Sequence, residues 1–300
     1  MSAGEVPSFV HPSACIEAGA RLGAGVRIGP FCHIGSAAAL GDGVELISHV
    51  SIAGATTIGA RSRVFPFASV GQEPQDLKYR GEPVRLTIGE DCLIREGVTM
   101  NPGTAGGGGE TFVGARCVFL ANSHVGHDCR LGDSVILSNN VMLGGHCQIG
   151  DFANLGGGSA AHQFVRIGAH AFVGGLAGVE NDIIPFGIAL GNRASLAGLN
   201  FVGLKRRGFS HSAIHALRRA YKMLFAPTGT LTERAEDVAA AFPEEEAVQQ
   251  MVIWSDVGEE GGLGMEFAAR DEVARPALRM AALTGEVCGS SSCTNVPPMR

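Results

Sequence analysis

Large apolar residues recur at every sixth position from the start of the chain. Val10, Ile16, Leu22, Ile28, Ile34, Leu40, Leu46, Ile52, Ile58, Val64 and Val70 are eleven hits in succession. Gly follows directly at 23, 29, 35, 41, 59 and 71. A helix repeats its apolar positions every 3.6 residues and a strand every two, so neither alone gives this spacing. A short strand plus a tight turn does, with one large side chain pointing inward per flat face. Three such faces close a triangular coil of about 18 residues. Stacked coils then pair their strands in parallel and align the aliphatics in columns. Gly and Ala near the corners relieve crowding.

The register is interrupted twice. It breaks at "QEPQDLKYRGEPVRLT", returns at Ile88, Ile94 and Met100, and breaks again at "NPGTAGGGGET". These breaks predict loop insertions near 72–85 and 102–111. A third run covers Val113, Phe119, Val125, Leu131, Leu137, Leu143, Ile149, Leu155, Ala161, Ile167, Val173 and Val179, ten of which are aliphatic. Roughly ten coils at one strand spacing each make a prism some 45–50 Å long. The pattern does not reveal its handedness. After Gly203 the period becomes helical. Ile214, Leu217, Tyr221 and Leu224 form one stripe with Ser210 as N-cap, and Pro227 and Gly229 as stops. Thr230 and Glu233 stand at capping-box spacing before a second helix, and a third is expected from Pro243. The division expected is therefore a mainly β prism over 1–203, a helical domain over 204–258 and an extension over 259–300. Residues 265–283 are a further helix candidate, and the tail reads as disordered.

Composition narrows the class. Gly is 44 of 300 residues while aromatics are 6%, which disfavours an ordinary helical or sandwich domain. The formal net charge of -6 argues against general nucleic-acid binding. No positive region followed by an apolar run marks an export signal, and no run of about 18 apolar residues marks a membrane span. A cytoplasmic location with reduced thiols is the expectation. The cysteines at 15, 32, 92, 117, 129, 147, 288 and 293 form no C-x-x-C pair and read as small buried hydrophobes.

The candidate chemistry lies in "NSHVGHDCRLGDSVIL", residues 122–137. Val125 is an inward position, so His124 and His127 are expected outside the prism. One coil on, His127 maps onto Gly145, beside His146, and His162 follows 16 residues later. Three readings are open at this point: a solvated edge, a metal site and a general base. Neutral histidine suits zinc, but H-x-x-H alone is a weak signal and the spacings 3, 19 and 16 do not follow the coil. A histidine beside Asp128 can take a proton from a hydroxyl near neutral pH.

The longer motifs "GQEPQDLKYRGEP", "IREGVTMNPGT", "HVGHDCRLG", "HQFVRIGAHAFVGG" and "LNFVGLKRRGFS" resemble the hexapeptide-repeat acyltransferases, and among them the UDP-N-acetylglucosamine O-acyltransferases that open lipid A biosynthesis. The resemblance covers about residues 8 to 255. It implies a left-handed parallel β-helix and no cofactor. It also implies transfer of an (R)-3-hydroxyacyl group from acyl carrier protein to the 3-hydroxyl of UDP-N-acetylglucosamine, in a homotrimer with sites between subunits. His127 matches the family's base, Asp128 a residue that orients it, and Gly145 the backbone N–H that stabilises the oxyanion. Asp76, Gln75 and Lys78 match loop positions that meet the ligand; a solvated insertion is the plainer alternative. His124, His146, His162 and Gln163 match the donor and nucleotide groove. Asn200, Arg206 and Arg207 match contacts to nucleotide or carrier, although basic residues at a helix start are electrostatically unfavourable. Gly175 matches the position whose size limits the acyl groove. Arg193 stands where the family frequently has histidine, and Val202 where it often has an acid. Both departures bear on nucleotide and chain-length recognition, not on reaction class. Another hexapeptide acyltransferase acting on a sugar nucleotide is the alternative enzyme, and a γ-carbonic-anhydrase-like metal scaffold the alternative class.

Overall fold

The computed structural model describes residues 7–256. The suggested helix at 265–283, the tail, Cys288 and Cys293 lie outside the described residues. Three sheets of 11, 9 and 8 short strands form the three faces of a left-handed parallel β-helix. We call them the first, second and third face. Partner residues in neighbouring coils stand 18 apart, as in Val10↔Ile28 and Val113↔Leu131. Across the first insertion they stand 30 apart (Arg63↔Leu93), twelve residues more. Across the second they stand 25 apart (Thr99↔His124), seven more. Each insertion is thus expelled from the coil without disturbing the strand register on either side.

The every-sixth residues from Ile28 to Val179 fill the interior, nearly all with no exposed surface. Each such Leu or Ile contributes about 1.5–3 kcal/mol by its removal from water. Val10, Ile16 and Leu22 are less covered, because they sit at the open end of the stack. The interior is more populated than one side chain per face. A second, smaller residue lies two positions before each large one, and Cys32, Cys92, Cys117, Cys129 and Cys147 all occupy that place. The described cysteines are free thiols, and only Cys15 is exposed.

The edges of the prism explain the rest of the period. The residue three after an inward aliphatic turns the corner in the left-handed region, at φ between 52° and 67° for sixteen non-glycine residues. This conformation costs an L-residue roughly 1–2 kcal/mol, and it recurs because the repeat demands it at every corner. The Gly that directly follows the aliphatic answers a different need. A Cβ on Gly29 would lie 1.7 Å from the Ile47 carbonyl oxygen of the next coil.

Above the prism, Gly187–Leu190 pairs in parallel with the last regular strand of its face and antiparallel with Ser195–Leu199. A second core starts at Ile184 and Phe186 and runs into four helices: α1 (Phe201–Arg206), α2 (His211–Leu224), α3 (Leu231–Ala241) and α4 (Glu246–Asp256). The Ser210 hydroxyl caps α2, accepting from the Ala213 N–H. Thr230 and Glu233 form a complete capping box on α3. Two expectations are corrected. α4 begins at Glu246, after a turn that contains Pro243 and is closed by the Glu245 N–H donating to the Phe242 carbonyl. The short α1 was not foreseen, so Lys205 and Arg206 lie in a helix's last turn, where the macrodipole favours them, and not at a helix start.

Candidate active site

His127, Gly145 and Gln163 occupy the same corner position in three successive coils, on the edge between the second and third faces. His127 is outside the prism core, as its place in the repeat requires, but it is not solvated: 7% of it is exposed. Two features cover it. His146, at the corner of the next coil, meets its ring edge-on at 5.0 Å and is itself stacked on Phe164 at 4.4 Å. The second insertion folds over Asp128 from the other side, with the Thr104 N–H donating to Oδ1 at 2.7 Å and the Thr104 hydroxyl to Oδ2 at 2.7 Å.

Adjacent residues on a strand point apart, but Asp128 is at a corner, with φ 61°. Its carboxylate therefore swings back beneath its neighbour, and His127 Nδ1 lies 2.8 Å from Oδ2. The Asp128 side chain is 1% exposed and acts only as an acceptor, so Nδ1 carries the proton and donates. The other ring nitrogen, Nε2, is left as a lone pair. It faces Gly145 so closely that a Cβ there would lie 2.6 Å from it. Only glycine fits beside this ring.

The Gly145 amide is buried and donates no hydrogen bond among the described residues. At comparable corners a carboxylate takes that amide: Asp133 accepts from Ala115, and Asp151 from Asp133. A buried, unclaimed N–H beside a histidine lone pair is an arrangement for holding a negatively charged oxygen next to a base.

A groove of about 330 Å³ opens at this point, lined among others by Gln75, Asn101, His124, His127, Gly145 and Gln163. The outward column of the second face shrinks coil by coil from Met142 to Ala160 to Gly178, and the first two of these line the groove. His124 Nδ1 bonds the Thr99 hydroxyl at 2.8 Å, and burial, then the neighbouring His127, holds its pKa below the ordinary value. Burial lowers His146 as well, against the opposing charge of Asp128. The charges of Asp76 and Lys78 also reach His146, so the first insertion of the same chain comes near this corner. Asp76 caps its own turn through the Lys78 N–H, and Leu77 beside it is 96% exposed. His162 and Gln163 are exposed, and Gln163 lines the groove.

Other matched positions lie elsewhere in the chain. Asn200 is buried and caps α1, accepting from the Gly203 N–H and donating to the His170 carbonyl. Arg207 donates to the Phe152 carbonyl at 2.7 Å on the edge between the third and first faces, away from His127. Arg206 is exposed. Gly175 is exposed on the edge between the first and second faces, three residues before Gly178. Arg193 lies 3.9 Å from Glu180 in a solvent-facing pair. Sequence reading missed Asn101, whose amide holds the base of the first insertion through the Gln72 and Glu73 carbonyls, and Thr104. A register break was the sole signal for either.

His127, Asp128 and His146 bring three potential metal ligands within 4.8 Å of one another. Oδ2 of Asp128 already accepts from Thr104 and His127, and its distance to His146 Nε2 is 3.7 Å. A metal would have to displace the His127 proton. The donor set orients a base more readily than it collects an ion.

Known proteins resemble this chain over most of its length. The family model described as UDP-N-acetylglucosamine O-acyltransferase, domain 2, matches residues 182–261. An acyl-[acyl-carrier-protein]--UDP-N-acetylglucosamine O-acyltransferase of Methylobacterium radiotolerans is 68% identical over 249 residues, 83% of this chain and 92% of the relative. Its counterpart in Rhizobium etli is 54% identical over 81% of this chain and 89% of the relative. Among solved structures, the UDP-N-acetylglucosamine O-acyltransferase of Moraxella catarrhalis superposes with a TM-score of 0.80 at 37% identity, covering 81% of this chain and 95% of that one. The Campylobacter jejuni enzyme gives 0.77 at 39%, covering 84% and 98%. With such identity along more than four-fifths of its length, and a prism whose one buried His–Asp corner opens on a groove, the chain belongs to the UDP-N-acetylglucosamine O-acyltransferase family.

Proposed function

We propose that this protein transfers an (R)-3-hydroxyacyl group from the thioester of acyl carrier protein to the 3-hydroxyl of UDP-N-acetylglucosamine, the first step of lipid A biosynthesis. The observation that carries the reading is the His127 Nε2 lone pair set against the unclaimed Gly145 amide. His127 takes the proton of the sugar hydroxyl as its oxygen attacks the thioester carbon. The imidazolium so formed is stabilised by Asp128 through Nδ1–H. The negative oxygen of the tetrahedral intermediate is held by the Gly145 N–H, a donor of a kind worth about 10²–10³ in rate. Collapse expels the carrier thiolate, which the imidazolium proton neutralises. The thioester is already activated, so positioning, one base and one oxyanion donor suffice.

The shrinking column Met142, Ala160, Gly178 supports a path for the acyl chain along the second face, with Gly175 at its flank. Gln75, Asp76, Lys78, His124, His146, His162 and Gln163 would contact donor or acceptor around the groove. A single prism offers only one wall of a cleft. The 96%-exposed Leu77 on the first insertion and the remoteness of Arg206 and Arg207 from His127 support a homotrimer. In it those arginines, and Asn200, would act at a neighbouring copy's groove. No helix among the described residues is long and apolar enough to cross a membrane.

The test is acyl transfer measured with UDP-N-acetylglucosamine and with its 3-amino analogue, over a series of 3-hydroxyacyl carrier proteins. Faster turnover of the 3-hydroxyl acceptor is expected. Transfer to neither acceptor would sink the reading, and preference for the amine would replace the acceptor named here.

A further inference from the structure

We infer that the second insertion exists to set the base, and that Thr104 is a positioning residue which acts on His127 through Asp128. The inference rests on the acyl-transfer reading for its kinetic consequences, but not for its geometry. The insertion adds seven residues to a coil, and none of the three residues of the turn at its tip, Ala105–Gly107, is buried, so core packing does not explain that turn. Its polar groups instead converge on one carboxylate. Thr104, 6% exposed, supplies two donors, one to each oxygen of Asp128 at 2.7 Å. Thr111, fully buried where the insertion rejoins the prism, accepts from the Asp128 N–H at 2.8 Å. Gly107 closes over the carboxylate so tightly that a Cβ would lie 2.0 Å from its Cγ. The glycines beside it let the loop turn back, with the Gly107 and Gly109 amides donating to the Thr104 carbonyl at 3.0 and 2.8 Å.

The physical consequence is a choice of tautomer. A buried carboxylate needs compensating donors, and hydrogen bonds to a charged acceptor are about twice as strong as neutral ones. With Thr104 filling one site on each oxygen, the position left on Oδ2 is the one His127 Nδ1–H takes. The ring can then neither flip nor exchange its proton to Nε2 without stranding a buried charge. Removing the hydroxyl opens a second direction for the carboxylate and relaxes that choice.

Thr104→Val keeps the shape and the backbone N–H but deletes the hydroxyl donor. It should lower kcat roughly 10- to 100-fold, with KM for the sugar nucleotide within about twofold. The acidic limb of the pH profile should move to higher pH, because a carboxylate relieved of a donor holds the imidazolium proton more strongly. Thr104→Ser should restore both. In an Asp128→Asn background the same Thr104→Val change should cost less than about twofold, since its route is already cut. Independently of any turnover, ¹⁵N shifts of the His127 ring in histidine-labelled full-length protein should show one tautomer in the wild type and a mixture in Thr104→Val. If Thr104→Val fails to accumulate as folded protein, Thr104→Ala takes the same measurements. An unchanged tautomer with unchanged kcat overturns the inference. So does an equal Thr104→Val penalty with and without Asp128. A wild type that transfers no acyl group would defeat the functional reading while the ring shifts still decide this one.

Discussion

His146 and His170 hold the same place in the repeat on two different edges of the prism. Both turn a corner in the left-handed region, at φ 64° and 59°, and both stack on phenylalanine. Their surroundings differ. His146 stands beside a buried carboxylate and a groove. His170 is packed between Phe152 and Phe186, with Phe209 edge-on, where the helical core docks onto the prism. Among the described residues no carboxylate touches it, and its Nδ1 is buried without a partner. Burial first, then the charge of Arg207, pushes its pKa down to about 4. The backbone therefore treats the two edges alike. One holds a buried, hydrogen-bonded His–Asp pair because an insertion brings donors to it, and the other becomes architecture because helices cover it.

Four experiments press on that contrast. The largest effect should come from His127→Ala, which removes the proposed base while deleting nothing from the prism core. A fall in kcat of about 10²–10⁴ in protein that still folds is expected, and near-full turnover would end the assignment. Gly145→Ala places a Cβ 2.5 Å from the His127 ring and forces the ring or the corner to move. A loss of roughly 10²-fold in kcat is expected from steady-state assays, and unchanged turnover would show that this corner tolerates a Cβ. Gly175→Met would fill several methylenes' worth of the proposed acyl path. At about 0.8 kcal/mol per buried methylene, excluding even three should shift selectivity about tenfold or more toward shorter donors. Measured kcat/KM across donor lengths checks this, and an unchanged preferred length would make Gly175 a simple corner glycine.

The smallest effect is on the architectural edge. His170 titrates near 4 in the folded protein and near its ordinary 6.5 when unfolded. Between those values the unfolded chain binds more protons, so the contribution to stability is complete above about 6.5 and is lost as pH falls toward 4. His170→Phe should flatten the decline of the melting temperature between pH 7 and pH 4.5, while leaving kcat at neutral pH within about twofold. Equal slopes for both proteins would show that the docking edge is not titrating through His170.

The two edges were unequally legible in the sequence. The motif around His127 was visible because a histidine, an acid and a glycine one coil later stand in a repeat that otherwise asks for small residues. The role of Asp128 depended on a corner geometry that the period implies but does not display. His170 carried no such signal, since its partners Phe209 and Arg207 come from beyond the repeat. The basic group at 205–207 was misplaced relative to its helix because α1 is only six residues long, too short to show a period.

By itself the sequence determined the prism, its two interruptions, the caps of α2 and α3 and the family, because each depends on residues one coil or less apart. A six-residue period is a local steric demand repeated, and it shows in any stretch of chain. What only the tertiary structure decided is the burial of His127, the two-handed grip of Thr104 on a carboxylate 24 residues later, and which edge the helices cover. Those depend on where an expelled loop folds back and on which surface a second core finds. Hydrogen bonds and apolar contacts between distant segments settle such choices, and they leave no periodic trace along the chain.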